Sequence, residues 1–126
     1  MEKKILSSER IPAAGPYSAA VEAGGFIFLS GQLPLHPQTG EAIIDIQAAT
    51  RQVLKNICAL LEEKGLSLKD IVKTTIFLKD IADFPSFNEV YAGFFPDNQP
   101  ARSTIAVAAL PKGAPLEIEA IAARRT

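Results

Sequence analysis

The sequence has little of what a disulfide framework, a metal centre or a histidine-based catalytic triad requires. Its 126 residues include one cysteine, Cys58, and one histidine, His36. A single cysteine cannot form a disulfide within the chain, and these two residues cannot supply a Cys/His metal cluster. A Ser-His-Asp or Cys-His arrangement would have to use His36, which lies in the turn-rich stretch PLHPQTG. We therefore expect no metal site, and we interpret His36 as a turn residue that faces solvent.

The sequence also lacks an excess of one charge and a long apolar run. The net charge is −1 at pH 7 with both signs interspersed, so no long-range field directs the chain to nucleic acid or to an anionic membrane. No stretch approaches the roughly 20 apolar residues of a membrane-spanning helix. The start, MEKKILSSER, has no apolar signal-peptide core. These features predict one cytoplasmic domain over residues 1–126, with no membrane partner and with nucleic acid disfavoured.

Hydrophobic periodicity predicts about six strands and two helices. Asp45 is a candidate cap for a helix over residues 46–64 that carries Cys58 beside its apolar stripe, and Asp83 is a candidate cap for a helix over residues 84–95. The alternating runs predict strands over residues 3–6, 18–23, 26–30, 72–79, 102–109 and 116–122. Two helices can cover one face of such a sheet. The order therefore predicts an α+β fold with a six-stranded mixed sheet, whose second face is covered by identical subunits.

The most informative stretch is QPARSTIAVAALPKGAPLEIEAIA, residues 99–122, which places Arg102, Glu117 and Glu119 among small and apolar residues. The turn around residues 111–115 predicts that its two strands pair as a hairpin. In such a hairpin, Arg102 and Glu117 would lie roughly 20 Å apart. A site that uses both residues would then need a neighbouring subunit or a different strand register.

Five stretches in this order resemble the Rid (reactive intermediate deaminase) family, also called the translation inhibitor or L-PSP endoribonuclease family. They are GPYS, LSGQLPL, TG, PARST and LEIEAIA. The resemblance spans essentially the whole chain. It implies a chorismate-mutase-like α+β fold, a homotrimer with clefts between subunits, and no metal or organic cofactor. It further implies hydrolysis of carboxylate-bearing imines and enamines, such as 2-aminoacrylate formed by dehydratases that use pyridoxal phosphate, to 2-oxo acids and ammonia.

The resemblance also assigns roles to individual residues. It implies that Glu117 positions the attacking water and that the Tyr17 hydroxyl donates toward the substrate, so these two are the candidate catalytic residues. The forked, always charged guanidinium of Arg102 is suited to hold a carboxylate by two parallel hydrogen bonds. The remaining candidates for substrate binding are Ser30, Gly31, Asn88 and Thr104.

Three positions depart from the family pattern. Thr104 stands where well-studied deaminases often have cysteine, Ala19 where glutamine is frequent, and His36 where aspartate is frequent. The first departure leaves the substrate range open, and the other two affect subfamily assignment. Two other functions are alternatives: a non-catalytic binding module for small carboxylates, and a ribonuclease. The absence of a basic stripe and of a second histidine disfavours the ribonuclease.

Overall fold

The computed structural model describes residues 2–125. Two helices and six strands follow one another along these residues, with single 3-10 turns at Leu68–Asp70, Ile81–Asp83 and Pro111–Gly113. In chain order the elements are β1 (Lys4–Leu6), β2 (Ala20–Ala23), β3 (Phe26–Gln32), α1 (Ile46–Glu62), β4 (Ile71–Leu78), α2 (Phe84–Phe94), β5 (Ala101–Ala106) and β6 (Leu116–Ala123). The predicted α+β class with a six-stranded mixed sheet and two helices is confirmed.

The strand order in the sheet is β1-β2-β3-β6-β4-β5. The β4–β5 pair is parallel, whereas the other neighbours are antiparallel. The predicted hairpin between the strands of Arg102 and Glu117 is therefore wrong, because β4 lies between β5 and β6. The reason is the crossover: α2 connects β4 to β5, and a helical crossover of this kind brings the second strand back parallel to the first.

The predicted N-terminal cap is confirmed for α1 and is wrong for α2. The Asp45 carboxylate accepts a hydrogen bond from the Ala48 backbone N–H at 2.9 Å, so Asp45 caps α1 as predicted. Asp83 makes no side-chain cap bond at α2. Its backbone is already helical because the preceding 3-10 turn runs into α2, whereas a cap residue needs an extended conformation. Asp80, which is extended, caps that turn through the Ala82 N–H.

The core lies between the helices and one face of the sheet. Along β6 the side chains of Leu116, Ile118, Ala120 and Ala122 are buried, and they alternate with more exposed neighbours. We call the other side, away from the helices, the open face. On it Phe26, Phe28 and Ile105 are 44–48% exposed. Within residues 2–125, neither helix is long and apolar enough to cross a membrane.

Candidate functional site

Arg102 and Glu117, the two charged residues of the predicted site, lie on opposite faces of the sheet. Arg102 on β5 is in register with Thr74 of β4, which is fully buried beneath the helices. Glu117 on β6 is in register with Phe77 of β4, and both alternate with buried residues, so both lie on the open face. Two strand spacings across and three residues along the strand separate the backbones of Arg102 and Glu117 by about 14 Å. One chain therefore does not bring these two side chains together.

The Arg102 side chain packs against α2. Its guanidinium carbon lies 4.9 Å from the ring centre of Tyr91, 5.4 Å from that of Phe84 and 5.7 Å from that of Phe87. One terminal nitrogen donates to the Asn88 side-chain oxygen at 2.9 Å. This is the guanidinium's single hydrogen bond to residues 2–125, so most of its five donors are free for a ligand. Asn88 thus contacts the arginine, and its predicted contact with substrate remains a prediction.

Arg102 and Asn88 open onto a cleft of about 380 Å³ at the exposed end of β5. The other lining residues are Tyr91, Ala92, Phe95, Gln99 and Pro100. The wall is thus mostly apolar around a single cation. Such a cleft suits a small anion with a short apolar substituent, because the cation can pair with the charge while the apolar wall contacts the remainder.

Thr104 follows Arg102 by two positions on β5 and is in register with the buried Ile76, so both face the helices. Its hydroxyl oxygen is buried and has no hydrogen-bond partner within residues 2–125. A buried hydroxyl left unpaired costs about 1–3 kcal/mol of stability. Thr104 does not line the cleft beside Arg102. Its assignment to substrate binding stays a prediction.

The Glu117 carboxylate lies directly over Gly31 of β3. A Cβ atom added at Gly31 would overlap Oε2 and lie 2.9 Å from Cδ of Glu117. The pairing of β3 with β6 shifts register between Leu29 and Gln32, which is the irregularity that holds Gly31. Partial burial raises the pKa of Glu117, and the nearby Glu119 carboxylate raises it further. The absence of a side chain at residue 31 therefore makes the space for this carboxylate.

Ser30 precedes Gly31 on β3, and Tyr17 lines a cleft together with Gly31. The Ser30 hydroxyl donates to the Ser18 carbonyl, and the Ser30 N–H donates to the Ala19 carbonyl at 3.0 Å. Ser30 thereby fixes the segment that follows Tyr17. The Tyr17 ring is 51% exposed, and its hydroxyl accepts a hydrogen bond from the Ala14 N–H at 3.3 Å. Tyr17 and Gly31 line one cleft of about 240 Å³, which does not include Glu117 among its lining residues.

Sequence reasoning missed Asn56, which lines the cleft of Tyr17 and Gly31 from α1. Its side-chain nitrogen donates to the Leu35 carbonyl at 3.2 Å and to the Leu33 carbonyl at 3.4 Å. Its oxygen accepts from Gln52 at 2.8 Å. The available signal was an asparagine beside the apolar stripe of the predicted helix, because a buried amide there needs partners from a neighbouring segment. Asn56 holds the loop that forms one wall of this cleft.

The two residues that reactive chemistry would most often use have ordinary roles. His36 lies in a turn, where its Nδ1 accepts a hydrogen bond from the Gln38 N–H at 3.2 Å. Cys58 is half-buried on α1, and burial followed by the nearby Glu62 raises the pKa of its thiol. A raised pKa leaves less of the reactive thiolate at neutral pH. Residues 2–125 contain no group of three or more His, Cys, Asp or Glu side chains placed to hold a metal ion.

Comparison with known proteins gives matches over nearly the whole chain. A family model described as "Endoribonuclease L-PSP" matches residues 7–124. A RutC family protein of Pyrococcus horikoshii is 50% identical over 122 residues, which is 95% of this chain and 97% of that protein. The 2-iminobutanoate/2-iminopropanoate deaminase of Escherichia coli K12 is 48% identical over 97% of this chain and 98% of its own. The crystal structure of E. coli TdcF with bound serine matches with a TM-score of 0.90 at 47% identity, over 97% of this chain and 99% of that one.

Proposed function

Since the chain belongs to the endoribonuclease L-PSP family, which is also the Rid family, and is an enzyme of the deaminase type, we propose that it hydrolyses small carboxylate-bearing imines and enamines. The substrates are the amino-acid-derived imines 2-iminopropanoate and 2-iminobutanoate, together with enamines such as 2-aminoacrylate. The products are the corresponding 2-oxo acid and ammonia. A cytoplasmic location and a single Rid-type domain over the chain are parts of the same proposal.

The observation that carries the proposal is the guanidinium of Arg102 at a small cleft. It is exposed, it makes one hydrogen bond within residues 2–125, and apolar side chains surround it. A guanidinium with free parallel donors binds a carboxylate through two charge-assisted hydrogen bonds. A second subunit that closes the cleft would exclude water and strengthen that pairing. Arg102 therefore anchors the carboxylate that all of these substrates share.

Glu117 provides the proton transfers. An enamine first tautomerises to its imine. Water adds to the imine carbon, and the proton that the Glu117 carboxylate accepts from this water passes to the imine nitrogen, which gives a carbinolamine. Glu117 then moves the carbinolamine hydroxyl proton to the nitrogen as the C–N bond breaks, which releases ammonia and leaves the 2-oxo acid. A carboxyl whose pKa lies closer to neutrality serves both transfers better than an ordinary glutamate, because it exchanges protons in both directions at working pH. Tyr17 donates toward the substrate, Ser30 and Gly31 form the wall of the site beside Glu117, and Asn88 lines the Arg102 cleft. Thr104, which does not line that cleft within one chain, completes the substrate-binding residues in the assembled trimer.

The complete site contains residues from two chains of a homotrimer with a chorismate-mutase-like arrangement. Arg102 and Glu117 lie on opposite faces of one sheet, so a second copy of the chain must supply the missing partner. Two surfaces favour such an association. The open face exposes Phe26, Phe28 and Ile105, and β5 is an edge strand with one unpaired side.

The test is a coupled deaminase assay. Purified protein is added to a pyridoxal-phosphate-dependent serine or threonine dehydratase reaction, and release of ammonia and 2-oxo acid is followed. We expect wild type to accelerate release and Arg102→Ala to abolish the acceleration. Arg102→Lys keeps the positive charge but lacks the forked guanidinium, so it should retain only part of the acceleration. Arg51→Ala, which removes an exposed arginine on α1, is the matched control. Equal rates for wild type and Arg102→Ala would refute the role of Arg102.

The same preparations separate the two alternative functions. A binding module would bind 2-oxobutanoate through Arg102 without accelerating hydrolysis, and Glu117→Gln would leave that binding unchanged. Because the matched family model carries the description of an endoribonuclease, RNA cleavage is measured alongside. Cleavage that survives repurification and disappears in Glu117→Gln would replace the deaminase proposal with a ribonuclease.

A further inference from the structure

The Tyr91 side chain connects the Arg102 guanidinium to a buried hydroxyl on β4. Among the three aromatic rings near the guanidinium, that of Tyr91 is nearest, with its centre 4.9 Å from the guanidinium carbon. The Tyr91 hydroxyl lies 2.7 Å from the Thr74 hydroxyl oxygen. Thr74 is fully buried and stands in register with Arg102 on the neighbouring strand. The Tyr91 ring therefore contacts Arg102, and the Tyr91 hydroxyl contacts Thr74, which lies beside Arg102 on the neighbouring strand.

Other contacts restrict the ring as well. The Phe87 ring centre lies 5.2 Å from that of Tyr91, and the ring centre of Phe95, the residue after α2, lies 4.7 Å from it. Tyr91 itself is 5% exposed. Burial raises the pKa of its hydroxyl, with Thr74 and Arg102 opposing that effect, so the hydroxyl stays neutral and able to hydrogen bond at working pH. The Tyr91 ring is held by the hydrogen bond of its hydroxyl and by the neighbouring rings, so it presents a fixed surface to the Arg102 guanidinium.

We propose that Tyr91, anchored by Thr74, is a positioning residue that fixes the Arg102 guanidinium for recognition of the substrate carboxylate. The inference rests on the proposed function for its biological meaning. Two contacts act on the guanidinium in different ways. The Tyr91 ring attracts it through the negative face of the π system, and Asn88 accepts from one of its terminal nitrogens at 2.9 Å. The remaining donors make no hydrogen bond within residues 2–125, and Arg102 lines the cleft.

The hydroxyl is the part of Tyr91 that distinguishes this role from simple core filling. A phenylalanine at position 91 would keep the cation–π contact and the apolar packing. It would lose the hydrogen bond between the Tyr91 and Thr74 hydroxyls. That bond holds the ring to β4 at the residue that is in register with Arg102. Bidentate recognition of a carboxylate depends on the position of a rigid fork, so a small displacement weakens both hydrogen bonds at once.

The test compares Tyr91→Phe, Thr74→Val and their double variant with wild type. We expect each single variant to raise KM for the imine, and Kd for 2-oxobutanoate, about 3- to 10-fold, with kcat within about twofold. The double variant should give the same increase as either single variant, because both remove one contact. The matched control is Thr50→Val, which deletes a fully buried hydroxyl bonded to Ile46 within α1 and should leave KM and Kd unchanged.

A second arm shows whether the effect passes through the arginine. In an Arg102→Lys background, Tyr91→Phe should change KM and Kd less than about twofold, because the fork that it positions is gone. The full increase in that background, or a loss confined to kcat, would overturn the proposal.

The third arm does not depend on activity. The side-chain Nε–H signal of Arg102 in an NMR spectrum should shift or broaden in Tyr91→Phe and remain unchanged in Thr50→Val. If wild type is inactive but this signal responds to Tyr91→Phe, the proposed function fails and the positioning role stands. If wild type is active and the Arg102 signal is identical in Tyr91→Phe, the positioning role fails and the function stands.

Discussion

The two halves of the candidate site obtain their geometry in different ways. Arg102 lies on an edge strand, and side chains of α2 determine its position: three aromatic rings and the Asn88 oxygen. Glu117 lies on β6, between β3 and β4, and the backbone of Gly31 makes its space. Arg102 is thus positioned by side chains that can be replaced one at a time. The Glu117 carboxylate instead depends on the absence of a side chain at residue 31. Substitutions at α2 should therefore change binding gradually, and a substitution at Gly31 should act abruptly.

The largest expected effect comes from combining one defect from each half. Arg102→Ala and Glu117→Gln chains should each be close to inactive alone. When the two are co-expressed and assemble randomly, sites that take the arginine from one chain and the glutamate from its neighbour recover both residues in about one quarter of cases. We expect deaminase activity to rise from background to about a quarter of the wild-type value.

The control is a mixture of the same two proteins purified separately and combined without subunit exchange. It should stay at background. Background activity in the co-expressed sample, with mass spectrometry showing mixed assemblies, would mean that both residues act within one chain and that the division of the site is wrong.

Gly31→Ala should act almost as strongly. The added Cβ would overlap the Glu117 carboxylate, which must move by an ångström or more. A displacement of that size at a reacting group lowers the rate by about 10²-fold. We expect kcat to fall by this order in the coupled assay, while Kd for 2-oxobutanoate changes little because Arg102 is untouched.

Gly93→Ala is the matched control, because a Cβ at Gly93 meets nothing within 4 Å. It should retain wild-type kcat. Wild-type kcat in Gly31→Ala as well would show that Glu117 tolerates displacement and therefore does not direct the attacking water.

The difference between the two halves also explains what the sequence could predict. Alternation along LEIEAIA predicts which β6 residues are buried, since a period of two follows from the pleat itself. Gly24 and Gly25 predict the β2–β3 turn, where both adopt positive φ. Neither pattern contains information on which strands become neighbours. The choice of β4 as the partner of both β5 and β6 comes from the crossover through α2 and from packing of the whole sheet.

In the candidate site too, the sequence shows the residue types but does not show which residues from distant elements come into contact. The residue types of Arg102 and Glu117 are visible in the sequence, as is a glycine at position 31. The contact of Tyr91 with both Thr74 and Arg102 is not, because it joins a helix and two strands that are separated along the chain. An aromatic residue in an apolar helical stripe predicts burial equally well whether it fills the core or supports a cation.

A smaller effect concerns proton transfer at Glu117. The Glu119 carboxylate helps to raise the pKa of Glu117, although burial contributes more. Removing that charge in Glu119→Gln should lower the pKa of Glu117. The limb of the pH profile of kcat/KM that reports Glu117 should therefore move to lower pH, whether Glu117 is required ionised or protonated. Glu119→Asp keeps the charge and should keep the profile nearer to that of wild type. A shift to higher pH in Glu119→Gln would contradict this electrostatic coupling.

The smallest expected effect is at His36, which shares a cleft with Tyr17 and Gly31. Its ring lies in a turn, and Nδ1 already accepts a hydrogen bond from the Gln38 N–H. Because Glu117 carries the proton transfers in the proposed mechanism, His36→Ala should change kcat/KM by less than about twofold at neutral pH. Gln38→Ala, which keeps both the ring and the backbone donor, is the control for disturbance of the turn. A tenfold loss in His36→Ala but not in Gln38→Ala would move the proton-transfer role from the open face to this cleft, and the contrast between the two halves of the site would have to be redrawn around His36.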